Sequence, residues 1–262
     1  MSRWIEVNGV SLRYEFSGEG DETIVLVHEA GGSLESWDAV LPFLTHRFRV
    51  LRYDQRGFGM SERAKTLDLR QMAADLVSLL ESLGVERAHL AGTAVGGSIA
   101  LAVAAKAPLR IASVTASSPV TGSALPEAGI KGLIARADLV EREGLRPVVD
   151  SSLARAWPED LRGDGERFAQ YRLRYLANDP QSFAALTRAF LSLDLGPLVR
   201  DIGCPATILG CTLDPIKLAP ECEAFAATLS DGRYVEIESC HFVALANPAE
   251  FASAVQTAIA GA

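Results

Sequence analysis

No apolar run in the chain approaches the roughly 18 residues that cross a bilayer, so no membrane-spanning segment is expected. The first residues, Met1-Ser2-Arg3-Trp4-Ile5-Glu6, lack the charged-then-apolar layout of a secretion signal, and a soluble, cytoplasmic protein is the expectation. Cysteine is scarce: Cys204, Cys211, Cys222 and Cys240 all fall in the last quarter, with no C-x-x-C pair and no histidine at zinc-ligand spacing. A metal site or a disulfide framework is therefore not expected, and the cysteines read as reduced and structural. Positive charge is also short, 25 Lys and Arg against 33 Asp and Glu, giving a net charge of −8. That balance opposes nucleic acid or an anionic membrane as partner, because both demand a basic face. Internal repeats and low-complexity segments are absent.

What is present is the composition of a globular protein, 48% hydrophobic and 22% charged over 262 residues, enough for a sizeable core. Val7-Asn8-Gly9-Val10 reads as a hairpin turn between two short strands. Residues 24–27 form a continuous apolar run, which suits a strand buried on both faces. Leu34, Trp37, Val40, Leu41 and Leu44 then recur at helical spacing, and residues 48–53 return to strand character. A helix carrying Leu69, Met72, Leu76, Leu79, Leu80 and Leu83 stops at Gly84. Strand 88–91, helix 95–107 and strand 111–115 follow. Such alternation predicts a mostly parallel sheet with helices on both faces, an α/β fold.

From residue 121 to about 195 the strand signal vanishes, and the chain turns Arg- and Glu-rich with breaks at Gly144, Pro147, Pro158, Gly163 and Pro180. Strands are predicted again at 206–209 and 234–237, with helices near 222–229 and from Pro248. The expected organisation is one core domain, residues 1–121 and 196–262, with a helical lid inserted over 122–195. Acidic and basic residues balance between 120 and 200, so the excess negative charge belongs to the core.

Four segments carry chemistry. Gly92-Thr93-Ala94-Val95-Gly96-Gly97 lies between a strand and a helix and has both glycines of a G-x-S-x-G nucleophile elbow, but alanine stands where the serine would be. His28-Glu29-Ala30-Gly31-Gly32 follows an earlier strand. Asp54-Gln55-Arg56-Gly57-Phe58-Gly59-Met60-Ser61 follows the next, and Leu213-Asp214-Pro215 and His241-Phe242 close the set. Nucleophile position, acid and histidine come in the chain order of an α/β-hydrolase triad. A serine hydroxyl needs a base at neutral pH, which His241 would supply, while Asp214 would fix its tautomer and stabilise the imidazolium. The N–H of Val95, next after the elbow apex, would point at the substrate oxyanion, and likeness to α/β-hydrolases implies that the N–H of Ala30 is the second oxyanion-hole donor. Asp54, Arg56 and His28 are expected to hold loops beneath the site. Likeness to α/β-hydrolases implies glycine at the position of Glu29, whose carboxylate would either face solvent or line the pocket and select against negative charge.

On these motifs the chain resembles the α/β-hydrolase superfamily, and within it the 3-oxoadipate enol-lactonase branch. The closer likeness rests on Phe48-Arg49-Val50-Leu51-Arg52-Tyr53-Asp54, Glu141-Arg142-Glu143-Gly144-Leu145, Arg155-Ala156-Trp157 and Gly232-Arg233-Tyr234-Val235-Glu236-Ile237. The resemblance implies an α/β-hydrolase fold and a cofactor-free hydrolase that opens a small, acidic lactone or ester, often in the catabolism of aromatic compounds. In that family an Arg-Trp pair in the lid faces the substrate; here the pair is Ala156-Trp157. Trp157, Glu29 and the lid arginines Arg136, Arg142 and Arg155 are accordingly candidate substrate contacts. A monomer or a homodimer fits the sequence equally. Ala94 leaves three accounts open: a hydrolase whose serine has been substituted, a non-catalytic binding protein that uses a hydrolase pocket, or a lyase or cofactor-free oxygenase with His241 as base.

Overall fold

A computed structural model describes residues 1–122 and 126–262. The N-terminal hairpin pairs β1 (Arg3–Val7) with β2 (Val10–Ser17), closed by Asn8 and Gly9, both at positive φ (49° and 68°). Two consecutive left-handed residues match the twist of the flanking strands, which is why Asn-Gly is favoured there. After β3 (Thr23–Val27) the helical spacing noted above resolves into a 3-10 turn, Leu34–Trp37, and a short α1 (Leu41–Leu44). No single helix can run through, because Pro42 at the start of α1 has no N–H to continue one.

The chain continues through β4 (Arg49–Tyr53), α2 (Leu69–Ser82), β5 (Ala88–Thr93), α3 (Val95–Lys106) and β6 (Ile111–Ser117). Five helices then precede the next strand: α4 (Glu127–Glu143), α5 (Arg146–Ala156), α6 (Gly165–Ala177), α7 (Pro180–Ala189) and α8 (Gly196–Val199). Sheet structure resumes with β7 (Ala206–Cys211), α9 (Ala219–Ala226), β8 (Gly232–Ile237), α10 (Val243–Ala246) and α11 (Pro248–Ala260).

Among the described residues, eight strands form one sheet in the order β1-β2-β4-β3-β5-β6-β7-β8, antiparallel over β1, β2 and β4 and parallel from there on. Every residue of β3, β5 and β7 is buried, as strands covered on both faces require. One apolar cluster includes Leu76, Leu79, Ile99 and Val103 from α2 and α3. The other joins Trp37, Phe48, Phe251 and Val255, with the Trp37 and Phe251 rings 5.6 Å apart. Register brings Val27 opposite Gly92 and Thr93 opposite Ser117, so the segments after β3, β5, β7 and β8 emerge at one edge of the sheet. Ligands of open α/β sheets bind at that carboxyl edge. Among the described residues no helix is long and apolar enough to cross a membrane.

All four cysteines are buried, and none is paired with another. Burial pushes the thiol of Cys240, beside His241, up to about 11, so it is not a thiolate at neutral pH.

Candidate active site

Residue 94 sits at a sharp turn between β5 and α3 with φ 50° and ψ −123°, one of three non-glycine residues described at positive φ. A left-handed backbone is costly for an L-residue and persists only where its surroundings impose it. Here the imposition is visible. A Cβ at Gly92 would lie 2.5 Å from the Gly96 backbone, and one at Gly96 would lie 2.0 Å from the Val27 carbonyl oxygen. The turn is thus wedged between its own helix and β3, and the residue at its apex is driven out over the sheet edge.

Across the edge, His241 and Asp214 form a buried pair with Nδ1 and Oδ2 2.7 Å apart. A carboxylate can only accept, so Nδ1 carries a proton, and in the neutral ring Nε2 is the nitrogen with the lone pair. The other carboxylate oxygen accepts the Ile216 and Lys217 backbone N–H groups at 2.7 and 3.0 Å. Burial by itself would raise the Asp214 carboxyl; the hydrogen bond and charge of His241, with those two N–H donors, outweigh it and hold the group below its usual value. Among the described residues, Nε2 of His241 has no partner, and neither the Ala30 nor the Val95 N–H donates a hydrogen bond. Ala30, Ala94 and His241 line one cavity of about 250 Å³, together with Arg136, Tyr175 and Phe183 from α4, α6 and α7.

The loops behind the cavity are fixed by buried polar groups. The Gln55 backbone N–H donates to His28 Nε2 (3.0 Å), which leaves His28 Nδ1–H to donate to the Glu29 carbonyl (2.8 Å). Asp54, fully buried, accepts from the backbone N–H groups of Leu34 and Met60, each at 2.7 Å, and faces Arg13 Nε at 2.7 Å. Arg56 grips Asp75 in bidentate fashion at 2.7 and 2.9 Å. None of these three lines the cavity.

Glu29 does not face solvent: the residue is 2% exposed and borders the cavity. Its Oε1 accepts from Ser36 Oγ (2.9 Å) and from the Tyr171 hydroxyl (2.8 Å), and its Oε2 from Thr93 Oγ1 (3.3 Å). Burial, followed by the adjacent Glu29 charge, raises the Tyr171 phenol well above its ordinary value, so it is present as the donor.

Two substrate contacts expected from the sequence are placed elsewhere. Trp157, at the end of α5, is fully buried against α6, its rings edge-on to Phe168 and Tyr171 at 5.5 and 6.2 Å and its Nε1–H donating to the Leu161 carbonyl at 3.0 Å. The indole satisfies its polar edge within that packing and is no part of the cavity wall. Arg142, in the last turn of α4, is exposed and paired with Glu143 at 2.9 Å, away from the cavity. Arg155 and Arg136 do line it, Arg136 donating to the Tyr175 hydroxyl at 3.2 Å and stacking over Phe183 at 5.6 Å. Sequence reasoning missed Tyr171, Tyr175 and Phe183. The one available signal was the pair of tyrosines four residues apart in α6, one face of an amphipathic helix.

Known proteins resemble the chain over most of its length. Among curated relatives, 3-oxoadipate enol-lactonase 1 of Acinetobacter baylyi is 27% identical over 93% of this chain and 91% of its own length. A putative carbamate hydrolase, RutD, of a Caulobacter species is 32% identical over 71% of each. Of solved structures, the enol-lactonase from Burkholderia xenovorans superposes with a TM-score of 0.91 at 27% identity, covering 98% of this chain and all of that one. A hydrolase from Pseudomonas aeruginosa gives 0.89 at 28% identity, covering 100% of this chain and 98% of that one. The model of the alpha/beta hydrolase family matches residues 24–254, and the chain belongs to that family.

Proposed function

We propose that the cavity is the ester- or lactone-binding site of a serine-type carboxylic ester hydrolase that lacks its nucleophile, so that the chain binds a small acidic ester or lactone without turning it over. The observation that carries the reading is the His241–Asp214 pair at 2.7 Å on the same cavity as the strained residue 94. A binding protein has no use for a histidine whose tautomer is fixed by a buried carboxylate, nor for an apex residue held at positive φ. Two unsatisfied N–H groups, Ala30 and Val95, stand ready for a carbonyl oxygen, and preorganised donors of this kind are worth most as charge develops on that oxygen. Arg136 and Arg155 supply positive charge on the lid side, where a substrate carboxylate would be bound. The enol-lactonase relative and neighbour support the substrate class.

With serine at residue 94, His241 Nε2 would take the hydroxyl proton as the oxygen attacks the carbonyl, the oxyanion resting on Ala30 and Val95. His241 would then return that proton to the leaving alkoxide, and water would release the acyl group by the same route. The test is to make Ala94→Ser and assay small activated esters and lactones. Hydrolysis, with an acyl-enzyme trapped by mass spectrometry, is expected from the serine form, and turnover lower by about a millionfold from the alanine form. A folded but inert serine form would refute the reading, and proton exchange or C–C cleavage by the alanine form would replace it with a lyase-type one.

A further inference from the structure

The two oxyanion donors come from different parts of the chain: Ala30 follows β3 and Val95 opens α3. The β3–β5 pairing ends at Val27 and Gly92, so their spacing depends also on whatever ties those segments together beyond the sheet. One side chain does so. Glu29, next to Ala30, accepts from Thr93 Oγ1, and Thr93 is the last residue of β5 before the elbow. The same carboxylate accepts the hydroxyl of Tyr171, 142 residues along the chain, on helix α6. A second contact from that helix falls just past the donor, where Asn178 at the C-cap of α6 gives its Nδ2–H to the Gly31 carbonyl at 2.8 Å. The inserted helix thus holds the loop on both sides of Ala30.

The energetics make this more than a contact. Glu29 is buried, its carboxylate is met by three neutral hydroxyls, and among the described residues it joins no ion pair. A buried carboxylate without a cation depends on every donor it has, because each lost one leaves acceptor capacity unsatisfied in a low dielectric. Removal of the Tyr171 hydroxyl would let the carboxylate turn or draw in water, and Glu29 would carry Ala30 with it. A steric limit points the same way: a Cβ on Gly31 would lie 2.5 Å from the Tyr175 ring, so α6 packs directly on the loop backbone.

Resting on the hydrolase reading above, we propose that Glu29, Tyr171 and Asn178 are positioning residues for the oxyanion hole, and that docking of helix α6 sets the distance between the Ala30 and Val95 N–H groups. The lid would then do more than cover the substrate. It would complete the electrostatic part of the site.

The distinguishing measurement is binding to the unaltered Ala94 chain of two probes of equal size, a neutral ester and the corresponding tetrahedral phosphonate monoanion, by calorimetry. Only the second resembles the oxyanion. Tyr171→Phe and, separately, Thr93→Val should each weaken the phosphonate by about tenfold to a hundredfold, the effect of a donor displaced by about 1 Å, and change ester affinity less than about twofold. In the Ala94→Ser background the same changes should lower kcat by a similar factor with KM nearly constant. Two variants in different elements guard against one failing to fold, and melting curves would show it. Equal losses for both probes would mean a general packing role and would overturn the proposal, as would no loss for either. If the unaltered chain binds neither probe, the hydrolase reading itself falls and takes this inference with it.

Discussion

Replacing Asp214 with asparagine in the Ala94→Ser protein tests the proposed chemistry at its most constrained point. Asp214 Oδ1 accepts two backbone N–H groups, from Ile216 and Lys217, and Oδ2 accepts from His241 Nδ1. An asparagine must keep its single carbonyl oxygen toward the two backbone donors, since turning it would set an NH2 against two N–H groups. The amide nitrogen then faces Nδ1 at the position now 2.7 Å away, and donor meets donor. The ring escapes by moving its proton to Nε2, which can no longer accept the serine proton. In serine proteases that wrong tautomer costs about 10⁴ in turnover, which at about 1.36 kcal/mol per tenfold is roughly 5 kcal/mol of transition-state stabilisation. Folding stability should fall by much less, about 1.5 to 3 kcal/mol for one charge-assisted hydrogen bond. Steady-state kinetics on an activated ester should therefore show kcat reduced by about 10⁴ with KM little changed. A loss smaller than about tenfold would mean that His241 is not the base or that Asp214 does not set its tautomer.

Three further expectations follow from the same geometry. Ala94→Gly should raise stability by about 0.5 to 1 kcal/mol, the strain of alanine at positive φ less the extra flexibility of unfolded glycine; a melting temperature lowered by several degrees would show that the Ala94 methyl is needed for packing. Acid should destabilise the fold. The carboxyls of Asp214 and Glu35 are both held below their usual values, against burial, which alone would raise them; the counterweights are His241 for the first and Arg13 and Ser33 for the second. Their contribution is complete above the unfolded values of 3.8 and 4.5 and is lost as pH falls through the lower folded ones, so thermal melts between pH 6 and 3 should fall most steeply at the acid end, and less so in Asp214→Asn. Finally, Arg136→Gln should weaken an acidic lactone by about tenfold and leave its methyl ester unchanged, the modest size reflecting a partly exposed guanidinium. Equal affinity of acid and ester for the unaltered chain would remove the acidic-substrate element of the proposal.

The core was legible because its signals are local. Asn8-Gly9 can hardly be anything but a hairpin turn, and the buried runs of β3 and β7 carry no charge that would argue against full coverage. The elbow was legible for a steric reason: Gly92 and Gly96 leave no room for a Cβ, and that requirement is written in residue type. The helical spacing over 34–44 did not show that the segment divides into two short turns, although Pro42 was a local signal of a break. The helical character of the stretch from α4 to α8 was legible, but not the orientation of its side chains. Nothing in Arg155-Ala156-Trp157 says that the indole turns inward to Phe168 and the Leu161 carbonyl while Arg155 borders the cavity. The same holds for Arg136 and Arg142, two arginines on one helix. Only packing against Tyr175 and Phe183 distinguishes them.

Glu29 shows why a departure from a motif can say more than agreement with it. Where the family resemblance implies glycine, the side chain of Glu29 must go either outward or into the interior, and the sequence allowed both. The interior alternative carries a chemical demand: several donors must converge on the carboxylate from elsewhere. Those donors, Ser36, Thr93 and Tyr171, are hydroxyls on three separate elements, and each alone is an unremarked residue in the sequence. Their convergence limits what the cavity can admit. A ligand carboxylate placed beside Glu29 would face a buried negative charge with its donors already engaged, whereas one placed beside Arg136 meets a cation whose nearest neighbours are a phenol and an aromatic face. An acidic substrate would therefore be oriented by repulsion at one end and attraction at the other, with its reacting carbonyl between them at residue 94.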